Sequence, residues 1–235
     1  CMTDCDAWFV ILPPANTLHA QLIRRGALPA LISDGVTLSY KVEEGFENPA
    51  GQMPFWKHVK ANFGVDLPEN IGLAGKGLSG EMEYKADFAS FAAEMIPVGP
   101  YSDDGVFNAF PTFTVEAREK VGGRLLASTR VVAPVSSEMG CRTCHGGTWK
   151  RGVAGVSDET AVNILAAHDR NSGTTLLEQA KQGKPALCQR CHADPAVGAK
   201  GDSLRLNFSA AMHGWHANYM HLEGAAACAA CHPAR

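Results

Sequence analysis

Little in this sequence points to a membrane, a nucleic acid or a nucleotide. No apolar run approaches the roughly 20 residues that a membrane-spanning helix needs; Trp8 to Leu12 is cut short by Pro13-Pro14. There is no basic excess either: 21 Lys and Arg stand against 24 Asp and Glu, a formal net charge of -3. That balance leaves no footprint for nucleic acid and suits cationic partners. Gly72 to Gly80 is glycine-rich but lacks the Lys-Ser/Thr ending and the helix of a phosphate-binding loop, so it reads as a connection. With 46% apolar and 19% charged residues, the 235-residue chain is neither disordered nor fibrous and can form one large or two small domains.

Cysteine is the exception to this plainness. Eight are present, and six fall into one pattern met three times: Cys141-Arg142-Thr143-Cys144-His145, Cys188-Gln189-Arg190-Cys191-His192 and Cys228-Ala229-Ala230-Cys231-His232. C-x-x-C-H is the covalent attachment signature of c-type haem. Two thiols at this spacing add across the two vinyl groups of one macrocycle, and the His after the second thiol reaches the iron as proximal ligand. Zinc fits less well, because a structural site closes four ligands into a tetrahedron and gives no reason for a His at one fixed offset. A dithiol redox motif would occur once, at a helix start, again without the His.

Three haem c groups are therefore expected on His145, His192 and His232, and their propionates make the chain more acidic still. Such attachment takes place outside the cytoplasm, so the chain is expected to be exported, with its signal peptide removed, and to work in the periplasm, at the cell surface or beyond it. Cys1 and Cys5 are left over. In an oxidising compartment they are expected to form a disulfide; acylation of Cys1 is the alternative.

Residues 1 to 135 carry no motif and read as β-rich. Trp8 to Leu12, Thr17 to Arg24 and Val36 to Val42 have strand patterning, and Phe110 to Glu119 with Arg124 to Val132 form a hairpin through Val121-Gly122-Gly123. Phe55 to Phe63 is a helix with Phe55, Val59 and Phe63 on one face and Gly64 past its end. Ala86 to Met95 is expected to be another. The fold class expected is α+β: a sandwich-like β-rich domain over 1-135, then a mainly helical, loop-rich trihaem domain over 136-235.

In that second part, Ser157 is expected to start a helix through Val162, Leu165 and His168. Thr175 with Glu178 resembles a capping box, and Ser209 is placed as the cap of a helix carrying Met212, His213, Trp215, His216 and Tyr219. These helices supply the expected distal iron ligands His168, His213 and His216. His213 and His216 are separated by roughly 4.5 Å along a helix, which suits two different irons rather than opposite faces of one. His221 lies about 140° around from His216. It and His19 are held in reserve as distal or inter-subunit ligands, His58 reads as structural, and Met212 and Met220 are unneeded beside so many His.

Residues 141 to 235 resemble the multihaem c-type cytochromes of metal-reducing and related anaerobic bacteria. The run Ile11-Leu12-Pro13-Pro14-Ala15-Asn16-Thr17-Leu18-His19-Ala20-Gln21 and the stretches Asn163 to His168 and Met212 to His216 are similar to segments of large multihaem cytochromes of such organisms. The resemblance implies stacked, low-spin, bis-His haems that pass electrons to other redox proteins or extracellular acceptors. It also implies a potential homopolymer, since some members form conductive filaments in which one subunit donates a haem ligand to the next. The haem-free residues 1 to 135 are more than a simple wire requires, and docking, attachment or subunit contacts are expected of them. The competing class is a multihaem oxidoreductase, which needs one iron with an open distal position and acid/base groups above it.

Overall fold

The structure is a computed structural model that describes residues 7-135, 139-147, 158-221 and 223-232. Cys1 and Cys5, and the expected helix start at Ser157, lie outside the described residues. The fold mixes helix and strand, as expected of an α+β chain. In order come β1 (Phe9–Val10), β2 (Asn16–Ala20), β3 (Leu22–Arg24), β4 (Ala30–Ile32) and β5 (Val36–Val42). Helix α1 (Phe55–Phe63) is followed by β6 (Ser79–Glu81), β7 (Glu83–Lys85), β8 (Ser90–Ile96), β9 (Thr112–Glu119) and β10 (Leu125–Val132). Then come α2 (Arg142–His145), α3 (Asp158–Ser172), α4 (Leu176–Lys181), β11 (Ala186–Leu187), α5 (Phe208–Ala217) and α6 (Ala225–Cys231).

The main core lies between two sheets, ordered β10-β9-β5-β6 and β2-β8-β7. Alternation builds it. In β5 the residues Leu38, Tyr40 and Val42 are buried, and the antiparallel register sets them opposite Ala117, Val115 and Phe113 of β9, which are buried on the same face. The other sheet adds Leu18, Phe91, Ala93 and Ile96 to the same cluster. Helix α1 packs apart from it, burying Phe55, Trp56 and Val59, and ends at Gly64, whose φ of 74° is the left-handed conformation a stop requires.

Ala86 to Met95 is not a helix. A single 3-10 turn covers Ala86–Phe88, and β8 then runs as the middle strand between β2 and β7. Good helix formers such as Ala92, Ala93 and Glu94 are overruled because both edges of the segment find partners and its Phe91 and Ile96 find the core. The register shift between Asn16 and Leu18 opposite Ala93 and Ile96, with Met95 at φ 58°, is what turns Ile96 inward.

Strand β1 ties the N-terminal segment to the region of the second motif. It pairs in parallel with β11, Phe9 with Ala186 and Val10 with Leu187, immediately before Cys188. Its period of two divides its side chains: Phe9 and Ile11 join a cluster with Met139, Ala161, Leu165, Ala186 and Phe208, while Val10 joins Phe55, Trp56 and Val59 of α1.

Two caps also differ from expectation. Helix α5 is capped by Asn207, whose Oδ1 accepts from the Ala210 amide at 2.8 Å, rather than by Ser209, the second residue of the helix. Thr175 stands at the start of α4 but does not cap it; the carboxylate of Asp169 on α3 accepts from the Leu176 and Leu177 amides at 2.8 and 2.9 Å. Phe113 is fully buried at the centre of the main cluster. Phe113→Ala should cost about 3–5 kcal/mol of stability. An unchanged midpoint in urea unfolding followed by tryptophan fluorescence would contradict that placement.

Candidate haem sites

The three motifs share one backbone feature. In each, the His amide closes a helical turn onto the carbonyl of the first Cys: His145 to Cys141 at 2.9 Å, His192 to Cys188 at 3.0 Å and His232 to Cys228 at 2.7 Å. The surrounding elements differ, being the four-residue α2, a 3-10 turn over Cys188–Arg190, and the end of α6. A turn of this kind puts both thiols of a motif on one side and the His just beyond them.

Each motif is anchored by contacts that the spacing alone does not reveal. Helix α3 holds the first: Thr160 donates its hydroxyl proton to the Gly146 carbonyl, and Asn163 Nδ2 donates to the carbonyl of His145. In the second, Gln189 is buried and its Nε2 donates to the Ile11 carbonyl and to Asp194 Oδ2. There Gly201, at φ 55°, comes so close that a Cβ would sit 2.2 Å from the Ala193 nitrogen. The third motif meets the first directly. The Gly140 amide donates to the Cys231 carbonyl at 3.1 Å, and a Cβ on Gly140 would lie 1.7 Å from the Ala230 carbonyl oxygen, so only glycine fits.

The imidazoles come together in pairs. His145 faces His216 with ring centres 6.3 Å apart and planes at 82°, and His232 faces His213 at 6.1 Å with planes at 17°. His168 is within electrostatic range of His192. Thus two of the three motif histidines have one of the expected distal candidates facing them, and His192 interacts with the remaining one only through its charge. His213 and His216, three apart on α5, face different motifs. His221 follows the end of α5 and is exposed. His19 lies on the outer face of β2, exposed, with Nδ1 3.1 Å from Ser90 Oγ and its ring against Phe88. His58 is half-buried on α1.

Hydrogen bonding decides which nitrogen is left for a metal. Nδ1 of His192, His213 and His216 lies 2.8, 2.8 and 2.7 Å from the carbonyls of Leu206, Ser209 and Met212. A carbonyl can only accept, so the ring must carry its hydrogen on Nδ1 and keep the Nε2 lone pair free. At His168 the same follows by proton bookkeeping. The single Thr174 hydroxyl proton goes to Asp169 Oδ1 at 2.6 Å, so the hydroxyl oxygen, 3.0 Å from His168 Nδ1, accepts from the ring.

Electrostatics favour the neutral, ligating form. Burial, followed by the proximity of His216, holds the pKa of His145 below the usual imidazole value; burial and then His213 do the same for His232. Burial also lowers His168, against the attraction of Asp169. Burial alone would raise the Asp169 carboxyl; the Thr174 hydroxyl and the Leu177 and Leu176 amides outweigh it and hold the group below its ordinary value. Cys188 keeps some surface as a residue, but it packs on the cluster of Phe9, Ile11 and Ala186, and burial pushes its thiol up to about 12. Burial likewise raises Cys231, with Cys144 of the first motif adding to the effect.

This arrangement suits an iron already held by four porphyrin nitrogens. Such an ion needs two protein ligands. If haem were attached, His145 with His216 and His232 with His213 would be the residues to hold two of the irons. Leu204, Leu206, Trp215 and Tyr219, exposed on or beside the same segments, offer apolar contact to a macrocycle.

Removing one distal ring tests the pairing. In the haem-loaded protein His216→Gly should convert one of three irons to a high-spin form while the other two stay low-spin, read by electron paramagnetic resonance. Three low-spin irons in that variant would contradict the pairing of His216 with His145. Against known proteins, no family model matches the chain, and no curated protein and no solved structure shows significant similarity to it.

Proposed function

We propose that this chain is an electron carrier binding three c-type haems: the first on Cys141, Cys144, His145 and His216, the second on Cys188, Cys191, His192 and His168, the third on Cys228, Cys231, His232 and His213. The observation that carries the reading is the pairing. Two motif histidines, His145 and His232, each face a different histidine, and in four of the six rings, His168, His192, His213 and His216, the hydrogen bonding leaves Nε2 as the free donor.

Bound at these places, the group supplies an iron that gains and loses one electron. What the chain contributes is rigidity. Main-chain carbonyls on a helix hold His213 and His216 against rotation, so the same two imidazoles are presented in both oxidation states and little rearrangement accompanies the change. Gly140 packed on Ala230, and Cys144 near Cys231, bring the first and third motifs into contact. Helix α3 links the first and second, holding the His145 and Gly146 carbonyls through Asn163 and Thr160 and carrying His168 one to two turns further on. Helix α5 starts at the second motif, where the Phe208 amide donates to the Ala193 carbonyl at 2.9 Å, and carries His213 toward the third, so each motif has its own link to the other two.

The protein works outside the cytoplasm, with other redox proteins or extracellular acceptors as partners, and residues 1-135 serve docking, surface attachment or contacts with further copies. The alternative is a multihaem oxidoreductase with one open iron. It requires a motif His with no second imidazole beside it; a facing ring at His145 and at His232 supports the carrier reading for those two.

Ring orientation gives a direct test. Perpendicular axial imidazoles leave the ferric d orbitals nearly degenerate and produce a strongly anisotropic low-spin resonance; parallel imidazoles lift the degeneracy and produce a rhombic one. Planes at 82° and 17° therefore predict one signal of each type in the oxidised holoprotein. A high-spin ferric signal amounting to one iron per chain would favour the enzyme and sink the carrier.

A further inference from the structure

Four of the six paired histidines show where Nδ1 is held, and they are not held alike. His192, His213 and His216 donate to neutral main-chain carbonyls. His168 donates to the Thr174 hydroxyl, which passes its own proton toward the Asp169 carboxylate. The relay is locked at its far end, because Asp169 also accepts from the Leu176 and Leu177 amides at the start of α4. A charge is thus wired to one ring through a fixed hydroxyl.

We propose that Asp169 and Thr174 are positioning residues that set the second site's reduction potential below the value a carbonyl-bound histidine would give. The inference rests on the haem reading above. The carboxylate draws the Thr174 proton, the hydroxyl oxygen becomes a stronger acceptor for His168 Nδ1–H, and the imidazole becomes more electron-rich at Nε2. A more basic axial ligand beside a fixed negative charge favours ferric over ferrous iron. Arg205, which also faces His168 electrostatically, opposes the effect, so the relay's contribution is read only by difference.

The experiment is a spectroelectrochemical titration of the full haem-loaded chain carrying Thr174→Val, Thr174→Ser or Asp169→Asn, with attached haem counted by mass. Thr174→Val keeps the side-chain shape without the hydroxyl, and Asp169→Asn removes the charge while keeping an acceptor for the α4 amides. Both should move one of three titration steps to higher potential and leave two in place, whereas Thr174→Ser should keep the unsubstituted values. Unchanged steps in both Thr174→Val and Asp169→Asn with three haems attached overturn the proposal, as does an equal shift of all three steps. The same shift in Thr174→Ser as in Thr174→Val also overturns it, since the hydroxyl is then not the cause. Should Thr174→Val fail to fold, the Asp169→Asn and Thr174→Ser titrations decide. Fewer than three haems on the unsubstituted chain overturns the parent reading instead.

Discussion

A histidine whose Nδ1 hydrogen is taken by a main-chain carbonyl has one lone pair left and one direction in which to use it. That constraint organises the second half of this chain. On α5 it is met by the helix itself, since Ser209 and Met212 lie four residues before His213 and His216 and their carbonyls catch the two rings. The helix thereby aims two donors at two different motifs without help from any other element. At His192 the carbonyl of Leu206 performs the same task from a loop. Gly201, too close to the motif to carry a side chain, and the Asp202 amide bonded to the Cys191 carbonyl keep that loop in place.

The rest of the structure serves to keep those directions fixed. The motifs have short turns and few buried side chains of their own, so each borrows rigidity from elsewhere. The first takes it from Thr160 and Asn163 of α3, the second from β1 through Gln189 and the pairing of Phe9 and Val10 with β11, the third from the main chain at Gly140. Strand β1 has a double duty: by alternation its residues reach both the cluster behind the second motif and the packed face of α1. The residues before 135 are thereby connected to the redox region we propose by more than a linker, and their second core, between the two larger sheets, stands apart from it.

Local patterns were legible where one short segment contains the whole reason for its structure. The helix Phe55–Phe63 with its glycine stop and the hairpin of β9 and β10 follow from period and turn residues alone. Ala86 to Met95 was not legible, because strand pairing on both sides outweighs intrinsic helix preference: β7 is only three residues long, and the other partner, β2, lies far away in sequence. The same holds for the caps: Asp169 reaches α4 from another helix, displacing the nearer Thr175. In the candidate site, the motifs and the residue types of their facing histidines could be read directly, whereas which ring meets which motif depends on α5 lying beside α2 and α6. Gly140 and Gln189 carry no signal in a single sequence, since a glycine before a motif and a variable position within one look ordinary until the backbone opposite is seen.

The mixed α+β fold and the paired rings make sense together if the chain is a rigid holder for covalently bound redox groups. The most direct test is peptide mass mapping of the protein made in a host able to attach haem. The account predicts one haem addition on each of three peptides, those holding Cys141 with Cys144, Cys188 with Cys191, and Cys228 with Cys231. Any of these peptides recovered throughout with two unmodified thiols, or with zinc in place of haem, would contradict it.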